Sequence, residues 1–338
     1  MKLVIIGCGL IGQKRAQAVD LSDQIVACCD INKDVANRFA ETYNCQAFYN
    51  YQQLLETIEC DVIVIAVVNK YIKEIATASL DSGRHIIAEK PLGRNFLEAS
   101  FIHDNLNRLS ANKYIAFKTG FNHRFHPGIM EAKKIVDSGI IGEIGIMRAR
   151  YGHGGRPGME KEWRASKELC GGGELLDQGV HVIDLIRWFG GEIISVFGDV
   201  STKFWDMEVE DNAFAILKTS RGVTAALHVS WTNWKNIFSF EVFGKDGYIK
   251  VEGLGGSYGP EILEVGVRKK EGGKPDIQVR EFPPVDISWK EEWKEFKAAI
   301  AERRQPLGNC FDGMMANKVV EAIYQSSEQN RLLTINLL

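Results

Sequence analysis

MKLVIIGCGLIG, residues Met1 to Gly12, decides how this chain folds. Leu3 to Ile6 is a short, unbroken apolar run, rich in β-branched residues, which suits a strand buried on both faces of a parallel sheet. Gly7, Gly9 and Gly12 follow at once as G-x-G-x-x-G, placed where a strand turns into a helix. The first glycine permits the tight turn, the second lets backbone approach a diphosphate, and the third lets helix and strand pack closely. The free N–H groups and positive dipole end of the next helix would face that anion. Gly7, Cys8, Gly9, Leu10, Ile11 and Gly12 are therefore candidate cofactor contacts. A second apolar run, Ile25 to Cys29, ends at Asp30, at the offset of the acid that takes adenosine ribose hydroxyls. An ordinary βα turn with an exposed Asp is the plain alternative.

The composition is that of an ordinary globular chain. Its 338 residues leave room for about two domains, and 45% hydrophobic with 25% charged residues gives no sign of disorder. A net charge of −3 with both signs interspersed offers no electrostatic footprint for nucleic acid. The seven cysteines lack C-x-x-C spacing, and Cys8, Cys28 and Cys29 fall in or beside core strands; they read as small apolar residues in a reducing compartment. Lys2 before an apolar stretch imitates a signal peptide, but Gln13, Lys14 and Arg15 follow without a small-residue cleavage site. No apolar run reaches membrane-spanning length, so no membrane partner is expected and the cytoplasm is the default.

Helical patterns at 10–20 and 33–44 flank the strand that ends in Asp30. Strand then alternates with helix: Val62 to Val67, a helix from Lys70 to Leu80, His85 to Ala88, a helix from Asn95 to Leu109, and Tyr114 to Thr119. This alternation predicts a doubly wound parallel sheet with its ligand at the carboxyl ends of the strands. A carboxylate at Asp30 favours NAD, because it repels a 2′-phosphate; Lys33 softens the preference and admits NADP.

SGRHIIAEKPL, Ser82 to Leu92, carries Glu89-Lys90-Pro91 at a strand end, where the proline biases Lys90 toward extended backbone. Together with the glycine turn, GFNHRFHPG (Gly120 to Gly128) and GGGELLDQGVHVIDLIRWFGG (Gly171 to Gly191), it resembles the glucose-fructose oxidoreductase / inositol dehydrogenase (Gfo/Idh/MocA) family over essentially the whole chain. The resemblance implies a lysine, Lys90, that reaches both nicotinamide and the reacting hydroxyl, preceded in the motif by Glu89 at the cofactor and joined to its proline by a cis peptide. One departure stands out: relatives with T-P-N-x-x-H after the fourth strand contrast with Val67-Val68-Asn69-Lys70-Tyr71-Ile72 here. Asn69 is kept as a cofactor candidate, while any role of that histidine is absent.

Asn122, His123, Arg124 and His126 lie where the family crosses into its second domain. Asn122 is a candidate cofactor residue and Arg124 a candidate substrate residue; interdomain hydrogen bonding is the alternative. Strand candidates then run from Ile144 to Tyr151, Ile193 to Ser201, Asn212 to Thr219, Val223 to Trp231, Phe238 to Phe243, Tyr248 to Glu252, Ile262 to Arg268 and Ile277 to Phe282, with hairpin turns at Ser220-Arg221-Gly222 and Lys245-Asp246-Gly247. Two helices, Trp289 to Ala301 and Asp312 to Glu328, follow. The expected fold class is α/β, an N-terminal Rossmann doubly wound parallel sheet (residues 1–121) plus a C-terminal α+β domain with a large, mostly antiparallel open-faced sheet (residues 122–338). Trp205, Trp231, Trp234, Phe238 and Phe240 suggest either a sugar-stacking surface or, preferred, a sheet face covered by another subunit; the resemblance implies subunit pairing there, as a homodimer or homotetramer.

The helix starting near Gly173 is apolar around most of its circumference, yet Asp177, His181 and Asp184 share one stripe at α-helical spacing. Spacing alone leaves an i, i+4 ion pair, an acid-base site and a metal site all open. The family's D-x-x-x-H pair matches Asp177 and His181, which implies catalysis, with Asp184 in support and no metal. Upstream, Tyr151 to Lys167 carries Arg156, Lys161, Arg164 and Lys167; Arg164 is the substrate candidate, and a solvated loop is the alternative. The implied activity is hydride transfer between nicotinamide and a secondary hydroxyl or keto group of a sugar, cyclitol, sugar acid or nucleotide-linked sugar. Lys90, Asp177 and His181 are the catalytic and substrate-binding candidates. A redox-neutral NAD-dependent glycosidase and a non-catalytic cofactor sensor are the alternatives.

Overall fold

The computed structural model describes residues 1–111 and 113–336, which divide into two compact units. The first unit contains Met1–Asn122 and Trp289–Asn317. Its sheet is built from β1 (Lys2–Ile6), β2 (Gln24–Cys29), β3 (Gln46–Phe48), β4 (Val62–Ile65), β5 (His85–Ala88) and β6 (Phe117–Thr119). All pairings are parallel, in the order β3-β2-β1-β4-β5-β6. This order places the turns after β1 and β4 side by side, where a doubly wound sheet takes its ligand. Helices α1 (Leu10–Ala18), α2 (Lys33–Tyr43), α3 (Tyr51–Thr57), α4 (Asn69–Asp81) and α5 (Phe96–Ser110) connect the strands. The apolar runs read from sequence are buried on both faces: Leu3, Val4 and Ile5 are fully buried, as are Cys8 and Cys28.

The expected division of the chain at 121/122 is incomplete. Helix α9 (Ser288–Ala301) puts Trp293 and Phe296 into the same core as Leu3, Ile5 and Val64, so the chain returns to the first unit after building most of the second. Its Glu292 is ion-paired to Arg15 of α1.

The second unit, His123–Ser288 with the segment from Lys318 on, holds a nine-stranded sheet. Its strands are β7 (Ile144–Gly152), β8 (Ile193–Ser201), β9 (Asn212–Thr219), β10 (Thr224–Ser230), β11 (Ile237–Gly244), β12 (Gly247–Glu252), β13 (Ile262–Val267), β14 (Asp276–Glu281) and β15 (Leu333–Thr334), ordered β14-β13-β12-β11-β7-β10-β9-β8-β15. Only β7 and β10 pair parallel; the other neighbours are antiparallel. Helices α6 (Pro127–Asp137), the single turn α7 (Lys167–Cys170), α8 (Val180–Gly190) and α10 (Cys310–Gln329) complete the chain.

Strand alternation decides the fate of the aromatic residues. Phe238 and Phe240, two apart on β11, face inward and are buried, as is Trp231. They line a core rather than the outer sheet surface that their sequence suggested. The outward row instead carries Phe197, Phe214, Ile216 and Ile146, each at least 40% exposed. Cross-strand register sets Phe197 beside Ile216 and Phe214 beside His228. No described helix is long and apolar enough to cross a membrane.

Candidate functional site

In the first unit the glycine turn has the shape of an anion cradle. Gly7 takes φ +97°, and a Cβ there would stand 2.2 Å from the carbonyl oxygen of Ala66. A Cβ on Gly12 would stand 2.0 Å from the Gly7 oxygen. At Gly9, by contrast, a Cβ would meet nothing within 4 Å. Gly9 is also the N-cap of α1, with no side chain bonded to the helix N-terminus. Open space in front of uncapped N–H groups is what a dinucleotide diphosphate requires, so these residues fit that group. Leu10 is exposed beside this space and Ile11 half-buried.

Asp30 stands at the carboxyl end of β2, half-buried, and does more than its position suggested. Its Oδ2 accepts the Cys8 N–H at 2.9 Å and its Oδ1 the Asn32 N–H at 2.9 Å. The carboxylate thus fastens the glycine turn to β2, and each oxygen keeps a further lone pair for a ribose hydroxyl. Cys8 is correspondingly withdrawn from direct ligand contact: its thiol is buried and its N–H is committed to Asp30. Lys33 lays its ammonium over the Tyr49 ring, 5.3 Å from the centroid.

Asn69 opens α4 and is buried. Lys90, half-buried just past β5, is joined to Pro91 by a cis peptide. Glu89 departs from the expected cofactor role. Its Oε1 accepts Arg15 Nε at 2.6 Å inside the protein, and burial pushes the carboxyl upward against the opposing pull of Arg15. Asn122 lies buried at the head of a 3₁₀ turn, Asn122–Phe125.

In the second unit the helix that carries the acid-base candidates is not α-helical throughout. Leu175–Gly179 forms a π turn that runs into α8, so Asp177 and His181 do not obey the uniform 100° spacing read from sequence. π turns inserted in α-helices recur at functional sites. The anchor of this helix start, invisible in the sequence, is Glu210. Its carboxylate accepts the N–H of Gly173 at 2.9 Å, the N–H of Leu175 at 3.1 Å and the Tyr324 hydroxyl at 2.8 Å. Gly173 is required there, since a Cβ would lie 1.8 Å from the Glu210 carbonyl oxygen.

His181 is 4% exposed and stacks on His123, ring centroids 3.8 Å apart and planes at 23°. Tyr151 stands edge-on at 6.3 Å. Asp177 receives Arg164 Nε at 3.3 Å, and the Arg164 guanidinium lies over Trp163, 4.4 Å from the ring centroid. Arg164 is thereby drawn to the acid-base helix, whereas Arg156 bridges to Glu162.

Asp184 does not play the supporting part expected of it. Both its oxygens are taken by Arg124, Nε at 2.7 Å and Nη2 at 2.6 Å, in a pair that is almost completely buried. The same bidentate pair removes Arg124 from the substrate-binding set, since a guanidinium so engaged and so buried serves the helix instead. It likewise argues against Asp184 as a metal ligand beside His181.

The electrostatics around Asp177 are graded. Burial lowers the His153 imidazole against the pull of Asp177, and its Nδ1 accepts the Gly155 N–H at 2.9 Å. Burial, then the neighbouring Tyr258 and Glu174, raise the Tyr151 phenol well above its usual value. Tyr258 is pushed up to about 12 by burial and Glu174. Both phenols therefore stay protonated and able to donate across the working pH range.

Residues 1–112 match the family described as oxidoreductase family, NAD-binding Rossmann fold, and residues 129–250 match the GFO/IDH/MocA C-terminal domain. A levoglucosan dehydrogenase of Pseudarthrobacter phenanthrenivorans is 32% identical over 175 residues, a match spanning 51% of this chain and less than half, 44%, of that protein. The D-glucoside 3-dehydrogenase of Escherichia coli is 25% identical over 97% of this chain and 95% of its own length. Among solved structures, a levoglucosan dehydrogenase in complex with NADH superposes with a TM-score of 0.91 over 100% of both chains at 22% identity, which shows a shared fold.

Proposed function

This chain belongs to the Gfo/Idh/MocA oxidoreductase family, and we propose that it oxidises a secondary hydroxyl of a sugar or cyclitol, and reduces the matching ketone, with NAD as cofactor. The observation that carries the reading is the buried imidazole of His181, on a π-turned helix beside Asp177, in a chain whose glycine turn offers an open cradle at Gly9. Gly9, Leu10, Ile11 and Gly12 would hold the diphosphate on backbone N–H groups, Asp30 would take the ribose, and Asn69, Lys90 and Asn122 would complete the cofactor side. Bound there, NAD would supply a two-electron acceptor for the hydride of the substrate carbon.

The protein's own work is proton handling and orientation. A ring nitrogen of His181 takes the hydroxyl proton as the C–H bond breaks and the carbonyl forms. An ammonium such as that of Lys90 would favour the negative charge that develops on the substrate oxygen. Asp177, steadied by Arg164, accepts a hydrogen bond from a neighbouring hydroxyl of the substrate, and Arg164 favours a substrate that carries a carboxylate or phosphate. In the reverse direction His181 returns the proton.

The relatives named above are a levoglucosan dehydrogenase and a D-glucoside 3-dehydrogenase, which supports a carbohydrate substrate. The exposed apolar row of Phe197, Phe214, Ile216 and Ile146 supports self-association through the outer sheet face, testable by analytical ultracentrifugation. A panel of free sugars, inositols, glycosides, sugar acids and nucleotide sugars, followed by reduced-nicotinamide absorbance, tests the activity. At least one class should give NAD-dependent turnover. Release of phenol from aryl glycosides without net reduction of NAD would point to a hydrolase, and stoichiometric NAD binding with no turnover on any class would point to a sensor.

A further inference from the structure

Two consecutive residues of the Asn122–Phe125 turn grip α8 at positions one helical turn apart. Arg124 takes both oxygens of Asp184, and His123 lays its ring flat on His181, centroids 3.8 Å apart. Both imidazoles are nearly inaccessible, at 5% and 4% exposure. His123 is itself wedged edge-on against His126 at 5.5 Å, Tyr151 at 5.0 Å and Phe238 at 5.8 Å, so its plane is fixed from three sides. The Arg124–Asp184 pair ties the same turn to α8 one helical turn beyond the stacked His181.

A histidine side chain turns about two torsions, and the second has a broad minimum. Proton transfer needs a ring nitrogen aimed at the hydroxyl within a narrow cone, so free rotation about that bond would waste most encounters. A face-to-face neighbour removes this freedom by contacting the ring's face, not the edge that carries its nitrogens. We propose that His123 is a positioning residue for the acid-base reaction: it fixes the plane of the His181 imidazole by stacking and exchanges no proton with the substrate. This rests on the reading of His181 given above.

The discriminating set is His123→Ala, His123→Leu and His123→Phe, measured on the best substrate of the panel. Leucine restores volume without a flat face, whereas phenylalanine restores the face without a titrating group. The alanine and leucine variants should lose about tenfold or more in kcat with KM nearly unchanged, and phenylalanine should recover most of it. Equal kcat for leucine and phenylalanine, or an alanine variant at wild-type kcat, would overturn the proposal. Ring-proton NMR supplies a readout apart from turnover. The His181 signals, assigned by their loss in His181→Asn, should carry a ring-current shift in wild type and in His123→Phe that disappears in His123→Leu; an unchanged shift in the leucine variant refutes the stack in solution. If His181→Ala leaves turnover intact, the functional reading fails, and the NMR series alone decides whether His123 holds the ring.

Discussion

Arg15 Nε lies 2.6 Å from Glu89 Oε1, and through this contact the helix that follows the glycine turn is tied to the strand end that carries Lys90. Arg15 also meets Glu292 of α9, so one cation serves two buried carboxylates from distant parts of the chain. Its replacement by methionine would strand both. Arg15→Met should cost about 3–5 kcal/mol of unfolding free energy, the range found when one partner of a buried pair is removed. Lys118, 3.6 Å from Glu292, softens the loss without reaching Glu89. Urea denaturation checks the figure, and a loss below about 1 kcal/mol would contradict the buried network.

The glycines of the turn should separate stability from binding. At Gly9 an added methyl group meets open space, so Gly9→Ala should leave the thermal midpoint nearly unchanged while weakening NAD binding about tenfold or more by occupying the diphosphate position. At Gly12 the methyl group collides with the Gly7 carbonyl, so Gly12→Ala should lower the midpoint itself. Calorimetric melting and NAD titration on the two variants decide the matter; equal loss of stability in both would remove the cradle.

Asp30 holds two duties that substitution can divide. Asp30→Ala removes the tether to Cys8 along with the charge, and should weaken NAD more than NADP. Asp30→Asn keeps an acceptor for the Cys8 N–H but loses the negative charge, so NADP affinity should rise relative to the alanine variant. Fluorescence titration with both nucleotides measures this, and parallel losses for NAD and NADP would refute the ribose assignment.

His153 makes the second unit sensitive to acid. Burial holds its folded value below the ordinary 6.5, so the folded state binds fewer protons than the unfolded chain. Its contribution to stability is present above pH 6.5 and is lost as pH falls through the lower folded value. Protonation at Nδ1 also ends the bond from the Gly155 N–H. The thermal midpoint should fall on acidification from about pH 7 to pH 5, and His153→Asn, which keeps an acceptor but cannot be charged, should flatten that fall. An unchanged slope in the variant would assign the acid sensitivity elsewhere.

Lys90→Ala and His181→Ala should each lower kcat about a hundredfold or more while NAD affinity is largely kept. Steady-state kinetics with parallel NAD titration provides the check, and near-normal turnover in both variants would defeat the acid-base assignment.

What the sequence disclosed was local. The glycine turn, the run Leu3 to Ile6 and the strand before Asp30 are each written within a few residues, because strand burial, tight turning and helix entry are near-neighbour matters. Asp177 and His181 stood out because charge on an otherwise apolar helix demands explanation. The features that escaped depend on partners far along the chain. The π turn at Leu175–Gly179 starts from Glu210, 35 residues beyond Leu175, and no helical periodicity encodes that. Asp184 has the right spacing to serve His181, yet Arg124, 60 residues earlier, claims it. The aromatic strand residues were misread because alternation says that Phe238 and Phe240 share a face but not which face is covered.

The return of α9 to the first core has a consequence for synthesis. Trp293 and Phe296 fill space against Leu3 and Ile5, so the amino-terminal sheet leaves the ribosome with part of its interior missing and waits through eight of the nine strands of the second sheet for the plug. A fragment cut after Asn122 should therefore be sticky and poorly folded, whereas one that splices 1–122 directly to 289–317 carries every residue that the first unit needs.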